Sequence, residues 1–152
     1  MKLQEGNAAL DFTEQDIHGN DVRLSDFKGQ KIILSFYGNE SCPFCNRRIH
    51  EIIGNSVKLK RSGVKLVFVF RSKAEKLKAS VLHEGISPWP LIGDAQQKLY
   101  KLYGAIAQPT KELYLPTDFL IDESFKIAKI HYGTDLTDHI DMADFKAFAG
   151  IE

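Results

Sequence analysis

Two cysteines are the residues of this chain best suited to chemistry. They are the only two in 152 residues, and they lie in the segment Ser41-Cys42-Pro43-Phe44-Cys45. Proline is favoured at the first position of a helix, so Pro43 places Cys42 at the N-cap. The unpaired backbone N–H groups and the positive end of the helix dipole favour a thiolate there. Cys42 is therefore the predicted nucleophile.

Cys45 falls one helical turn after Cys42, on the same face. It begins an apolar stripe with Ile49, Ile52 and Ile53, which predicts that it is buried. In this arrangement Cys42 attacks an oxidised substrate, and Cys45 releases the product by forming a Cys42–Cys45 disulfide. The cysteine pair is then the redox group itself, and no further cofactor is expected.

A structural cysteine pair and a metal site are the alternative interpretations. A closed zinc site usually has four nitrogen or sulfur ligands, and only His50 is close in sequence to the cysteines. The five histidines are expected to be surface or capping residues: His18, His50, His83, His131 and His139. Arg47 and Arg48 are expected to face water, on the polar side of the helix.

The elements around the cysteines indicate a βαβ unit. Residues 31–37 and 64–70 are β-branched and aromatic runs typical of strands buried on both faces. Between them the stripe of Cys45 predicts a helix, which Gly54-Asn55 can interrupt. After the second strand, Ser72 and Glu75 form a capping-box pattern, and Gly85 is placed to end that helix.

The rest of the chain adds antiparallel strands and two helices. Residues 96–103 predict a short helix that ends at Gly104, and residues 109–115 are predicted to be irregular. Residues 118–121 and 125–132 predict an antiparallel hairpin, and Asp141 is expected to cap a last helix. Residues 12–17 and 22–24 predict an N-terminal hairpin, followed by one helical turn over 25–29. A single domain over 1–152 follows, an α/β fold whose mixed central sheet has helices on both faces.

Charge and hydropathy exclude two classes of partner. Twenty basic and twenty acidic side chains give zero formal net charge, which argues against binding a nucleic-acid backbone. No stretch approaches the roughly 18 apolar residues of a membrane span, so no membrane partner is expected. The first residues have no apolar leader core, which favours a cytoplasmic protein, with a removed export signal as the alternative. The basic stretch 58–78 and the acidic stretch 118–144 are interpreted as solvated faces.

The motifs together resemble the thioredoxin superfamily, in its peroxiredoxin-like branch of alkyl hydroperoxide reductase and thiol-specific antioxidant (AhpC/TSA) proteins. The segments that carry the resemblance run nearly from end to end: 12–13, 18–19, 22–29, 32–37, 91–94, 99–104 and 119–122. The resemblance implies a thioredoxin fold with an N-terminal β-hairpin extension. It implies thiol–disulfide exchange with protein disulfides or, alternatively, peroxide reduction. Thioredoxin or another thiol reductant is the implied electron donor.

Two residues depart from the peroxiredoxin pattern PxxxTxxC. Counted back from Cys42, Ser35 occupies the proline position and Asn39 the threonine position. Asn39 can still supply a hydrogen-bond donor, and Arg71 can supply positive charge beside the thiolate. The alternative for Arg71 is a strand-end residue that faces solvent.

A second resemblance points to thioredoxins and TlpA-type oxidoreductases. Leu115-Pro116-Thr117 resembles their cis-proline loop, which lies against the CxxC motif and binds the substrate backbone; the alternative is an ordinary trans turn. At the position of thioredoxin's buried aspartate this chain has Phe36, so Glu40 or a water is the expected proton acceptor for Cys45. A non-catalytic binding module, with the loops around 109–117 as its docking surface, is the remaining alternative.

Overall fold

The computed structural model describes residues 3–80, 85–86, 88–108 and 113–152. Among these residues the strands are β1 (Thr13–Gln15), β2 (Asp21–Arg23), β3 (Ile32–Phe36), β4 (Lys65–Phe70), β5 (Leu91–Gly93), β6 (Ile106–Gln108), β7 (Leu113–Tyr114), β8 (Thr117–Ile121) and β9 (Ile127–Tyr132). The helices are α1 (Pro43–Gly54), α2 (Ser56–Ser62), α3 (Ala74–Ala79), α4 (Lys98–Tyr103) and α5 (Met142–Ala149).

A mixed five-stranded sheet in the order β5-β4-β3-β8-β9 forms the centre of the fold. β3, β4 and β5 pair in parallel, β8 pairs antiparallel with β3, and β9 pairs antiparallel with β8. Every residue of β3 is buried, because strands in the middle of such a sheet are covered on both faces. The predicted mixed sheet is confirmed, and of its five strands β5 was not predicted.

Aromatic side chains fill the core on both faces of the sheet. On one face Phe36 packs against Tyr100 and Tyr103 of α4 and against Phe119 of β8. On the other face Tyr37 stacks on Phe70, with ring centroids 5.0 Å apart. Phe36 is the last residue of β3 and Tyr37 directly follows it. Because successive residues of an extended chain point to opposite faces, these two neighbours pack into the core on opposite sides of the sheet.

The interruption of the first long helix is confirmed. α1 ends at Gly54, and the Asn55 N–H donates to the carbonyls of Ile52 and Ile53. α2 begins at Ser56 and ends before Gly63, which takes a left-handed φ of 80°. The chain turns between two short helices here because the φ of −110° and ψ of 11° at Asn55 are not helical.

The predicted capping box after β4 is wrong. Lys73 is the N-cap of α3 and makes no side-chain cap, while the Ser72 hydroxyl donates to Glu40 instead. α3 ends at Ala79 rather than at Gly85. The prediction for Val81 and His83 lies outside the described residues.

Two later predictions are also corrected. Residues 113–114 are not irregular, because β7 pairs with β6 in an antiparallel sheet of its own; residues 109–112 lie outside the described part. α4 ends at Gly104 as predicted, with a left-handed φ of 67°. Asp141 stands at the N-cap of α5, but its side chain makes no capping hydrogen bond.

The N-terminal hairpin is confirmed and lies beside the edge strand β5. β1 and β2 pair antiparallel, with Glu14 opposite Val22, and a short 3-10 helix follows at Leu24–Phe27. The Ile17 N–H donates to the carbonyl of Leu91 at 2.9 Å, which ties the turn of the hairpin to the sheet. Within the described residues, no helix has the length and apolar character needed to cross a membrane.

Candidate active site: a dithiol at the end of the central strand

The loop between β3 and α1 carries the two cysteines to one edge of the sheet. Cys42 is the N-cap of α1, in extended conformation, and Pro43 is the first helical residue. The Cys42 N–H donates to the carbonyl of Asn39 at 3.1 Å, which closes a tight turn before the helix. The sequence prediction for the start of this helix is thus confirmed.

The two thiols occupy different environments. Cys42 is partly exposed, and its Sγ accepts a hydrogen bond from the Cys45 backbone N–H at 3.2 Å. Cys45 is fully buried, and its Sγ accepts from the Gly38 N–H at 3.3 Å. An N–H donor and the positive end of a twelve-residue helix both stabilise a thiolate at Cys42. Of the two thiols, Cys42 is thus the one that is accessible from solvent.

Tyr100 fixes the strand end that leads into this loop. Its hydroxyl, which is fully buried, donates to the carbonyl of Tyr37 and lies 3.2 Å from the carbonyl of Val69. Burial raises the pKa of Tyr100, and the nearby Cys45 raises it further. Tyr100 therefore remains a neutral donor beneath the buried thiol.

Glu40, on the loop before Cys42, is hydrogen-bonded to Ser72. The Glu40 N–H donates to Ser72 Oγ at 3.1 Å, and the Ser72 hydroxyl donates to Glu40 Oε2 at 2.5 Å. This hydrogen bond lowers the pKa of Glu40, and the charge of Lys76 adds to the effect. The pair ties the loop before Cys42 to the end of β4.

Asn39 and Arg71 lie on the same side of the cysteine loop as Ser72. The Asn39 side-chain oxygen accepts from the Ser41 N–H at 2.9 Å. The Arg71 N–H donates to the Gly38 carbonyl at 2.9 Å, and its partly buried side chain lines a cleft with Asn39. Both residues stand beside the nucleophile loop.

The Leu115-Pro116-Thr117 segment reaches the same edge of the sheet from the other side. Thr117 pairs with Phe36, the last residue of β3, so Pro116 lies just beyond the end of that strand. Pro116 is buried, and its carbonyl accepts from the Gly133 N–H at 2.7 Å. A Cβ at position 133 would lie 2.6 Å from that carbonyl, so only glycine allows this close approach.

Sequence analysis missed a buried carboxylate next to β3. Asp118 on β8 is 3% exposed and lies opposite Ser35. The Ser35 hydroxyl donates to Asp118 Oδ1 at 2.6 Å, and the Ile140 N–H donates to Oδ2 at 3.2 Å. Burial raises the pKa of Asp118, while Ser35 and Arg48 oppose that rise. The available sequence signal was a serine within an otherwise apolar strand; its pairing with Asp118 appears only in the folded sheet.

Arg48 is not solvent-facing, contrary to the prediction. It is 8% exposed and lies on the buried face of α1, one turn after Cys45. Its guanidinium interacts electrostatically with Asp118, Tyr37 and His139. A buried cation needs a counter-charge, and the sequence did not show that β8 supplies one.

His139 extends this buried polar group. Its ring lies 5.6 Å from that of Tyr37, and burial together with Arg48 lowers its pKa to about 4. His131 is paired with Asp138 at 3.2 Å. Within the described part of the chain, no group of three or more histidines, cysteines or carboxylates is arranged to hold a metal.

Comparison with known proteins decides the family. The AhpC/TSA profile matches residues 6–130. The chain belongs to the AhpC/TSA family. This AhpC/TSA chain is 29% identical over 141 residues to the thiol-disulfide oxidoreductase ResA of Geobacillus thermodenitrificans, covering 90% of this chain and 76% of that protein. It is 26% identical over 145 residues to the peroxiredoxin Bcp of Escherichia coli, covering 92% of each.

Solved structures agree on the fold of this AhpC/TSA chain. The peroxidoxin BcpB of Mycobacterium tuberculosis superposes with a TM-score of 0.78 at 21% identity, covering 97% of this chain and 95% of that one. The thioredoxin fold is therefore confirmed. The AhpC/TSA chain carries two cysteines, one helical turn apart, at the start of α1, and it is a thiol-dependent redox enzyme.

Proposed function

We propose that this protein is a thiol–disulfide oxidoreductase that cycles between the Cys42–Cys45 dithiol and disulfide. One observation carries the proposal. The partly exposed Cys42 Sγ accepts the N–H of Cys45, while Cys45 itself is buried one helical turn away. An exposed nucleophile with a resolving thiol in reach is the arrangement that two-step exchange requires.

The reaction runs in two balanced steps. The Cys42 thiolate attacks one sulfur of a protein disulfide, and the other sulfur leaves as a thiolate. Cys45 loses its proton and attacks Cys42 Sγ, the second substrate sulfur leaves as a thiolate, and the Cys42–Cys45 disulfide forms. A thioredoxin or another thiol reductant restores the dithiol. The cysteines carry both electrons, so the cycle needs no added cofactor.

The segment at Pro116 supplies the docking surface for the substrate backbone in this proposal. It lies beyond the end of β3, at the same edge of the sheet as the cysteine loop. Thr117 Oγ1 donates to the Leu115 carbonyl at 3.0 Å, which holds the segment in shape before the substrate arrives.

A second candidate is reduction of hydroperoxides. The relative from Escherichia coli is named a peroxiredoxin, and it aligns with 92% of this chain. In this reaction the Cys42 thiolate takes the distal peroxide oxygen, an alcohol or water leaves, and a sulfenic acid forms. Cys45 then attacks the Cys42 sulfur, and water leaves as the disulfide forms. Asn39 and Arg71 are the polar side chains beside this loop that face the peroxide in that case.

One experiment separates these functions. The fully reduced protein is mixed at pH 7 with a disulfide-bonded protein or with hydrogen peroxide, and the loss of its two thiols is followed over time. Rapid oxidation by the disulfide, with Cys45→Ser trapped as a mixed disulfide on Cys42, supports exchange. Rapid oxidation by peroxide, with Cys45→Ser stopped at a sulfenic acid, supports peroxidase activity instead.

Cys42→Ser is the control and is expected to be inactive with both oxidants. Activity in Cys42→Ser would overturn the assignment of the nucleophile. If neither oxidant acts faster than on an unperturbed cysteine of pKa near 8.5, the chain is a binding module with unreactive thiols.

A further inference from the structure

A cleft lies beside the cysteine loop on the side away from Pro116. Its volume is about 320 Å³, at the lower end of the size of small-molecule sites. The lining residues come from the loop before Cys42, the end of β4, the start of α3 and the turn before α4: Asn39, Glu40, Arg71, Ser72, Lys73, Lys76, Ala95 and Gln97.

The cleft is more basic than the chain as a whole. Three of its residues are cations, Arg71, Lys73 and Lys76, and one is a carboxylate, Glu40. The Ser72 hydrogen bond and the charge of Lys76 lower the pKa of Glu40, so this carboxylate stays ionised at neutral pH and the cleft keeps an excess of two positive charges. The cations of the cleft belong to the basic stretch 58–78, and here they lie next to the cysteine loop.

The sheet order places this cleft and the Pro116 segment on opposite flanks of Cys42. β3 leads to the cysteines, β4 lies on one side of β3, and β8 lies on the other. The cleft lies beyond the end of β4, and Pro116 precedes β8. The cleft also reaches Asn39, whose carbonyl accepts the Cys42 N–H at 3.1 Å. A ligand in the cleft therefore lies next to the turn that presents the nucleophile.

We propose that this cleft binds the carboxylate groups of a small anionic disulfide while its sulfur meets Cys42. The proposal rests on the exchange function proposed above and adds the class of substrate. Lys73 and Lys76, both exposed, attract the carboxylates, and Arg71 offers a planar guanidinium deeper in the cleft. The cleft volume suits a molecule of a few residues rather than a folded partner.

The chemistry is the same two-step exchange. Cys42 thiolate bonds to one sulfur of the small disulfide, and the first small thiolate leaves. Cys45, having lost its proton, bonds to Cys42 Sγ, and the second small thiolate leaves. The substrate is reduced to two thiols and the enzyme dithiol is oxidised to a disulfide, so no other reagent takes part.

Three disulfides of different charge test the proposal. The reduced protein is mixed with glutathione disulfide, bis(2-hydroxyethyl) disulfide or cystamine, which are anionic, neutral and cationic respectively, and the second-order rate of thiol loss is measured. The rates are compared with those of a free small-molecule dithiol, which corrects for the intrinsic reactivity of each disulfide. We expect the anionic disulfide to be preferred, and the preference to shrink at 1 M salt, where the Debye length falls to about 3 Å.

Lysine variants test whether the cleft causes the preference for the anionic disulfide. Lys73→Gln and Lys76→Gln are each expected to lower the rate with glutathione disulfide by roughly two- to five-fold, as for an exposed charge pair, and to leave the neutral disulfide unaffected. Lys78→Gln is the matched control, because Lys78 is an exposed lysine of the same helix α3 that does not line the cleft. It should change neither rate.

The outcomes distinguish this inference from the proposed function. The cleft proposal is overturned if the three disulfides oxidise the protein without any charge preference. It is also overturned if the Lys76 and Lys78 variants lose equal fractions of the rate with glutathione disulfide. In both cases the proposed exchange function stands. If none of the three disulfides and no protein disulfide oxidises the protein faster than an ordinary thiol, the exchange function fails and the cleft proposal falls with it.

Discussion

At the scale of single residues, the helix that carries the cysteines also carries one member of a buried group of opposite charges. Arg48 on α1 and Asp118 on β8 are both buried, and Asp118 is held by the Ser35 hydroxyl at 2.6 Å. Removing one member of a buried charge pair leaves the other without compensation, which costs more than the pair contributes. The two residues therefore depend on each other.

A double-mutant cycle tests this dependence. We expect Asp118→Asn and Arg48→Met each to lower the free energy of unfolding by about 2–4 kcal/mol, because each removes one partner of a buried electrostatic interaction. The double variant should lose at least about 1 kcal/mol less than the sum of the single losses. Urea denaturation measures all four proteins. Additive losses would show that Arg48 and Asp118 do not stabilise each other.

The partly buried ring of His139 leads us to expect that the free energy of unfolding decreases at acid pH. Burial and Arg48 lower its pKa to about 4, so between pH 6.5 and 4 the unfolded chain binds a proton that the folded chain does not. The contribution of neutral His139 to the free energy of unfolding is fully present above about pH 6.5. It falls by about 2–3 kcal/mol as the pH falls towards 4. Arg48 and His131 lower the pKa of His139, Asp138 raises it, and the neutral ring of Tyr37 packs against the imidazole.

The measurement is urea denaturation of the wild type and His139→Asn between pH 7 and 4. We expect the variant to lose less stability on acidification than the wild type. His50→Asn, which changes an exposed histidine of α1, is the control and should match the wild type. Parallel pH profiles for the wild type and His139→Asn would contradict the assignment.

At the scale of elements, the active-site edge is assembled from loops that three strands position. β3 leads to the cysteines, β4 leads to Arg71 and Ser72, and the segment before β8 carries Pro116. Gly133, just after β9, supports that last segment through its N–H bond to the Pro116 carbonyl. The backbones approach so closely that a side chain at position 133 has no room.

Gly133→Ala is expected to move the Pro116 segment. The added Cβ would lie 2.6 Å from the backbone oxygens of both Pro116 and Asp138, and backbone atoms yield less readily than side-chain ends. We expect a loss of about 1–3 kcal/mol in unfolding free energy and a roughly tenfold or greater fall in the rate of exchange with a protein disulfide.

Gly54→Ala is the control for this variant, because no atom lies within 4 Å of the added Cβ. It should leave the exchange rate unchanged. Stopped-flow thiol loss and urea denaturation measure both proteins. An unaltered exchange rate in a destabilised Gly133→Ala protein would mean that the Pro116 segment does not take part in substrate binding.

At the scale of the whole molecule, the core is complete without a disulfide. Both thiols make hydrogen bonds within the active-site loop, and the aromatic residues fill both faces of the sheet. A chain of this length buries enough surface to fold without covalent bridges. The dithiol is therefore available for a redox cycle that leaves the fold intact.

We expect the protein to remain folded in excess dithiothreitol. A disulfide that closes so short a loop adds at most about 2 kcal/mol to the free energy of unfolding. Thermal unfolding of the reduced and oxidised protein, followed by circular dichroism, should give cooperative transitions in both states. Loss of the cooperative transition on reduction would instead make the Cys42–Cys45 pair structural.

Local sequence signals specify the start of the helix at Cys42 and the mixed sheet, and they predict Cys42 as the nucleophile. Pro43 after Cys42 specifies an N-cap through backbone chemistry that acts within one helical turn, and the apolar runs of β3 and β4 show burial on both faces. Such signals are local. The Ser72 capping box failed because a residue 32 positions away, Glu40, competes for the same hydroxyl.

Which polar residues are buried depends on the tertiary structure. The sequence pattern of α1 predicts that Arg48 faces solvent. Asp118 is one of several acidic residues in the stretch 118–144. The pairing of Ser35 with Asp118 spans 83 residues, and no periodicity within β3 or β8 records it. The cleft beside Cys42 likewise draws residues from four segments. Charge compensation and cavities depend on which elements become neighbours, and the sheet order sets this.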